Sequence, residues 1–230
     1  MMRMYAMRKT TGAFIIALVA LLFALGLITG QGPTWAEEPE GQNINQPAEI
    51  DLAALAGESR WMELLAAASD AASHNVSDPV PVAFRLRAMR MLGETDAALK
   101  QADEAVTRFP DNARIILERA WIQAFNGRWP LALFDARRAQ EIDPKLAEAL
   151  IVQGIAYREL HDWNSAISLY TKALSLNPDD AVALLNRGRA FVEKGMWDEA
   201  RSDLDRSIIL SLNQAETFYH RGRANAGSGR

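Results

Sequence analysis

Two patterns divide the chain. Residues 13–28, AFIIALVALLFALGLI, form one unbroken apolar run, whereas from about residue 49 onward apolar and polar positions recur with helical spacing. Between them EEPEGQNINQPAE carries Pro39 and Pro47, is polar and has no periodicity, so residues 37–48 are expected to be a flexible linker. The helical region also repeats itself. Gly222, Gly188, Gly154, Ala120 and Leu86 are spaced 34 residues apart, as are Pro110, Pro144 and Pro178, and Ala98, Ala132, Ala166 and Ala200. Ala105, Ala139, Ala173 and Ser207 keep the same interval, and Trp61, Trp129, Trp163 and Trp197 share one phase, with Thr95 in the exceptional unit. This register gives units at 79–112, 113–146, 147–180 and 181–214, a degenerate unit at about 45–78 and a half unit at 215–230. Each full unit is predicted to be two helices joined at Gly93, Gly127 or Gly195, with His161 in the glycine position of the third. Histidine is among the side chains that best tolerate positive φ, so turn geometry is a sufficient reason for it, with a ligand or proton-transfer role as the alternative.

Small residues such as Gly154 and Ala166 are expected where paired helices cross, because only they let backbones reach normal packing distance. Asp111 and Asp179, after the closing prolines, are expected to cap the following helices. The unit at 147–180 has Leu150, Gly154, Tyr157, Ala166, Tyr170, Ala173 and Pro178 in succession. That order resembles the tetratricopeptide repeat, whose first helix reads W-x2-L-G-x2-Y, whose second reads A-x3-F and whose last residue is proline. The resemblance implies an all-α fold, a right-handed α-solenoid of stacked antiparallel helix pairs over 49–230. It implies a protein or peptide partner but does not name one, since the matching residues are packing residues.

The phrase RGRA occurs at 187–190 and again at 221–224. Arginines two residues apart point about 200° apart on a helix. Arg187 and Arg221 are therefore expected toward the packed side, and Arg189 and Arg223 toward a groove. RGRA is a repeat signature, and no nucleic-acid partner is expected. Positions two, five, six, nine, twelve and thirteen of each first helix fall within an arc of about 120° and are predicted to line that groove. Toward the N-terminus the arc holds Phe84, Met91, Leu117, Trp121, Phe125, Ile151, Val152 and Ile155; toward the C-terminus it holds Arg158, Asn186, Arg189, His220 and Arg223, with Glu148, Glu159, Glu193 and Glu216 interspersed. A partner's apolar side chains would lie on Trp121 and Phe125, and its acidic group or C-terminus near Arg189 and Arg223. Two alternatives stay open. The helices of 49–74 or a second copy of the chain cover the apolar half, and neighbouring glutamates neutralise the arginines. Chaperone adaptors of the family that the repeats resemble hold a terminal carboxylate in a Lys/Asn clamp; here Asn186 matches, but Ile151 and Ile155 stand where lysine and asparagine belong.

Composition narrows the reading further. The chain is 49% hydrophobic and 23% charged, ordinary for a protein that buries a core. Of 25 lysines and arginines, Arg3, Arg8 and Lys9 lie in the leading segment, which leaves 22 against 29 acids and a net charge of −7 after residue 36. A body this acidic, without a basic run, argues against general polyanion binding. No cysteine means no disulfide and no thiolate chemistry. His74, His161 and His220 lack metal-ligand spacing, G-x-S-x-G is missing, and GSGR is no P-loop. No enzyme activity, metal or cofactor is expected. Residues 1–36 combine a basic start, the apolar run and the small residues Thr34 and Ala36, the pattern of a Sec-type signal peptide; the alternative is an uncleaved anchor through 13–30, the only membrane contact expected, which would make the chain an assembly or regulatory factor for envelope complexes. Either way, basic residues before and Glu37, Glu38 and Glu40 after place the body outside the cytoplasm, in a bacterial periplasm or facing it from the inner membrane. Asn75-Val76-Ser77 is a glycosylation sequon only in a eukaryotic source. The half unit, with Phe218 and Tyr219, is less polar than most solenoid caps and suggests pairing with another subunit or a truncated chain.

Overall fold

The computed structural model describes residues 50–210 and 215–229, so the signal or anchor expected at 1–36 and the linker expected at 37–48 lie outside the described residues. The described residues form helices α1 (Leu52–Gly57), α2 (Trp61–His74), α3 (Pro79–Met91), α4 (Thr95–Arg108), α5 (Ala113–Phe125), α6 (Trp129–Ile142), α7 (Ala147–Glu159), α8 (Trp163–Leu176), α9 (Ala181–Glu193), α10 (Trp197–Leu210) and α11 (Ala215–Gly227), and no strand.

One turn chemistry joins the two helices of each pair. Gly93, Gly127 and Gly195 have φ of +82°, +69° and +72°, and His161 takes +62°. At each turn two amides fold back: Gly93 N donates to Arg90 O at 3.1 Å and Glu94 N to Met89 O at 2.9 Å, and His161 and Asp162 repeat this on Arg158 and Tyr157. This is the Schellman arrangement, which satisfies carbonyls that the helix end leaves without partners. Ser59, 34 residues before Gly93, has φ +57° and makes the same turn between α1 and α2, a match its side chain conceals.

Capping departs from expectation by one residue. Asn112 accepts from Ile115 N at 3.0 Å and Asp180 from Ala183 N at 2.9 Å, so they, not Asp111 and Asp179, cap α5 and α9. The cap must hold extended backbone immediately before the helix, and Asp111 and Asp179 still belong to the turn after the closing proline. Asp179 instead accepts from Arg206 at 3.1 Å.

Packing follows the small-residue series. Ala98, Ala132, Ala166 and Ala200 are fully buried. A Cβ on Gly154 would lie 2.5 Å from the Tyr170 ring, and one on Gly188 2.7 Å from Leu204 Cγ, so each glycine makes room for a large residue of the paired helix. Within pairs, Arg119 grips Asp135 through Nε at 2.7 Å and Nη2 at 2.8 Å, and Arg187 grips Asp203 at 2.6 and 2.8 Å. The first helices α3, α5, α7, α9 and α11 each touch the next in line, whereas no second helix approaches the following second helix. That asymmetry curves the stack, with the first helices inside.

Candidate functional site

The inner layer sorts its side chains by position in each first helix. Position five is a seam: Leu117, 1% exposed, and Ile151 and Leu185 are buried between successive first helices. Position six is buried from α5 onward, at Glu118, Val152, Asn186 and His220. Position twelve is buried in all but the last, at Arg90, Ala124, Arg158 and Val192. Position nine is half-buried throughout, at Arg87, Trp121, Ile155, Arg189 and Arg223. Position thirteen is exposed throughout, at Met91, Phe125, Glu159, Glu193 and Gly227.

Of the residues expected to line a groove, Leu117 is therefore core. Phe84 is half-buried against Leu55, Ala56, Leu64 and Ala88, because α1 and α2 close over it. Trp121 and Ile155 present one edge while packing on the core, and Phe125 is 58% exposed. The RGRA arginines diverge as helical geometry requires. Arg187 goes to Asp203 and Arg221 to Asp205, whereas Arg189 pairs with Glu216 and Arg223 with Glu193 at 2.6 Å.

Two polar clusters stand on this layer. In the first, Arg90 reaches from α3 to Glu118 on α5, with Nε and Nη2 both 3.2 Å from Oε2, and lies 5.3 Å from the Trp121 ring and 5.4 Å from that of Phe125. Burial raises the Glu118 carboxyl above its usual range against the pull of Arg90 and Arg87. In the second, Arg158 is 8% exposed and uses one nitrogen on Glu159 at 2.5 Å, while its Nε and Nη1 are buried without a partner. The Tyr170 hydroxyl and His220 Nδ1 are buried and unpaired as well. Asn186 spends its amide on Val182 O at 2.8 Å, within its own helix. Arg158, Arg189 and His220, with Glu159, His161, Trp163 and Glu193, line a recess of about 90 Å³. Burial, and then the positive charge of Arg158, lower the pKa of Arg189; burial, and then Arg189, lower that of His220. Burial raises that of Tyr170. Arg90, Glu118 and Tyr170 are absent from the sequence-derived candidates. Arg90 has the signal that could have found it, since it occupies the same position as Arg158 two units earlier.

Stacked helix pairs with a sorted, partly open inner layer define a helical-repeat scaffold. The tetratricopeptide repeat model matches residues 90–147 and 151–211, together more than half of the chain, and the chain belongs to that family. Human Protein SGT1 homolog is 31% identical over 78 residues, which cover 34% of this chain and 21% of that protein, so the chain spans about a fifth of that relative. The thermophilic repeat protein TTC0263 of Thermus thermophilus superposes with a TM-score of 0.64 at 18% identity, over 78% of this chain and 96% of its own. YrrB, a repeat protein with an unusual peptide-binding site, gives 0.53 at 20% identity over 71% and 84%. These two likenesses show the fold.

Proposed function

We infer that the chain is a non-catalytic interaction scaffold whose inner layer holds a peptide or a helix of a protein partner. The observation that carries this is the open row on the first helices: half-buried position nine beside exposed position thirteen, with the Phe125 ring standing beside Trp121. A ring exposed next to a partly covered tryptophan is surface that an apolar side chain can cover. YrrB shows that this fold supports a peptide site. Peptides selected by display on the purified chain should lose at least about tenfold in affinity on Phe125→Ala, or about 1.4 kcal/mol; an unchanged affinity overturns the reading. Phe125 suits the test better than Trp121, whose substitution also opens the core.

The reading places the scaffold in the cell envelope. It rests on the basic start, the apolar run and the small residues before Glu37. N-terminal mass of the protein isolated from its source, with fractionation, separates a cleaved periplasmic form from one anchored through 13–30, and an intact form in the cytosol refutes both. Self-association through 215–230 belongs to the same reading, supported by exposed Phe218 and Tyr219 and by Gly222, which has nothing within 4 Å of an added Cβ. A monomer mass independent of concentration overturns it.

A further inference from the structure

Buried polar atoms without partners also occur singly at Arg85, Arg87, Gln123 and Asn126, but the recess between α7, α9 and α11 gathers four of them, two on one guanidinium. Arg158 offers Nε and Nη1, and the Tyr170 hydroxyl and His220 Nδ1 are also unpaired. A buried polar atom left unpaired costs about 1–3 kcal/mol, so four such atoms near one recess, three of them donors, indicate a group that belongs there. The acceptors nearby are engaged: Glu193 holds Arg223 and Glu216 holds Arg189. Around the recess Arg158, Arg189 and Arg223 are balanced by Glu159, Glu193 and Glu216. A single added negative charge satisfies the donors, whereas the second charge of a phosphate would face Glu159 and Glu193. At about 90 Å³ the space takes a few water-sized groups, which suits a carboxylate on a short stem rather than a terminal residue with its own side chain.

We propose that this recess is a subsite for the side-chain carboxylate of an aspartate or glutamate within a bound polypeptide, held by Arg158 Nε and Nη1 and by Arg189 after its release from Glu216. The subsite rests on the groove reading and gives it a sequence preference. It uses positions twelve, nine and six of successive first helices and is separate from the terminal-carboxylate clamp, where Ile151 and Ile155 stand.

The test titrates N-acetyl-aspartate N-methylamide, which has a side-chain carboxylate and no terminus, into the full chain while the arginine Nε–H signals are followed by ¹⁵N NMR. A saturable shift of Arg158 is expected with a Kd of about 1–10 mM. The asparagine analogue should give none. Arg158→Gln should abolish the shift, with helix content checked by circular dichroism. Glu216→Gln, at an exposed position, frees Arg189 and should tighten binding about threefold or more. No saturable shift, equal response to the asparagine compound, stronger binding of N-acetylalanine through its terminal carboxylate, or no effect of Glu216→Gln each overturns the subsite. Display-selected peptides that still bind while the aspartate compound fails leave the groove reading intact and sink only the subsite. Peptide binding indifferent to Phe125→Ala, with a normal aspartate response, does the reverse.

Discussion

Arg90 and Arg158 occupy the twelfth position of first helices two units apart, and both are buried. What positions six, nine and thirteen of the following first helix hold differs between the two. For Arg90 these are Glu118, Trp121 and Phe125, which supply an acceptor and two ring faces. For Arg158 they are Asn186, Arg189 and Glu193: the amide turns back on its own helix, the second residue is a like charge, and the carboxylate serves Arg223. The repeat thus fixes where an arginine goes, and the next repeat decides whether it finds a partner. One cluster closes on itself while the other keeps donors in reserve.

The largest expected effect comes from breaking the closed cluster. Glu118→Ala leaves Arg90 buried without its carboxylate and should lower unfolding stability by about 3–5 kcal/mol in urea denaturation. Rebuilding the open cluster in the image of the closed one, by Asn186→Glu with Arg189→Trp, should raise stability by about 1–2 kcal/mol by giving Arg158 an acceptor, and should abolish its response to the aspartate compound. The turns differ in the same sense, with Gly93 after α3 and His161 after α7, both at positive φ. His161→Gly should therefore raise stability by up to about 1 kcal/mol, measured by thermal melting. The smallest effect concerns His220. Its folded-state pKa lies below the unfolded value, so the unfolded chain takes up the proton first and stability falls as pH drops from about 6.5 through the folded pKa. His220→Gln should flatten that part of the pH profile, and an unchanged profile would assign the slope to other groups.

Much of the fold is legible in the chain. Pro110, Pro144 and Pro178 mark the ends of pairs, the alanine and glycine series mark the helix crossings, and Gly93 through Gly195 mark the bends, because each residue type answers a backbone or steric demand that recurs every 34 residues. Ser59 escapes because φ preference is only statistical for a residue with a side chain. The groove is less legible. A 120° arc identifies side chains on the correct face of one helix, yet first helices also pack on each other, and that contact takes position five, hence Leu117, out of solvent. Phe84 is covered by helices α1 and α2 of the degenerate unit, a contact that the arc of a single helix does not register. The unmet donors of Arg158 could not be read at all, since they depend on where Asn186 and Glu193 direct their own hydrogen bonds.

The separation between buried position five and open positions nine and thirteen has a consequence for how such a protein changes over generations. Cohesion of the stack rests on residues other than those that the proposed groove exposes. If the inner layer holds a partner as proposed, an exchange at exposed Phe125 would alter what is recognised with little strain on the interior, so a lineage could retarget its scaffold in single substitutions without first acquiring a compensating stabiliser.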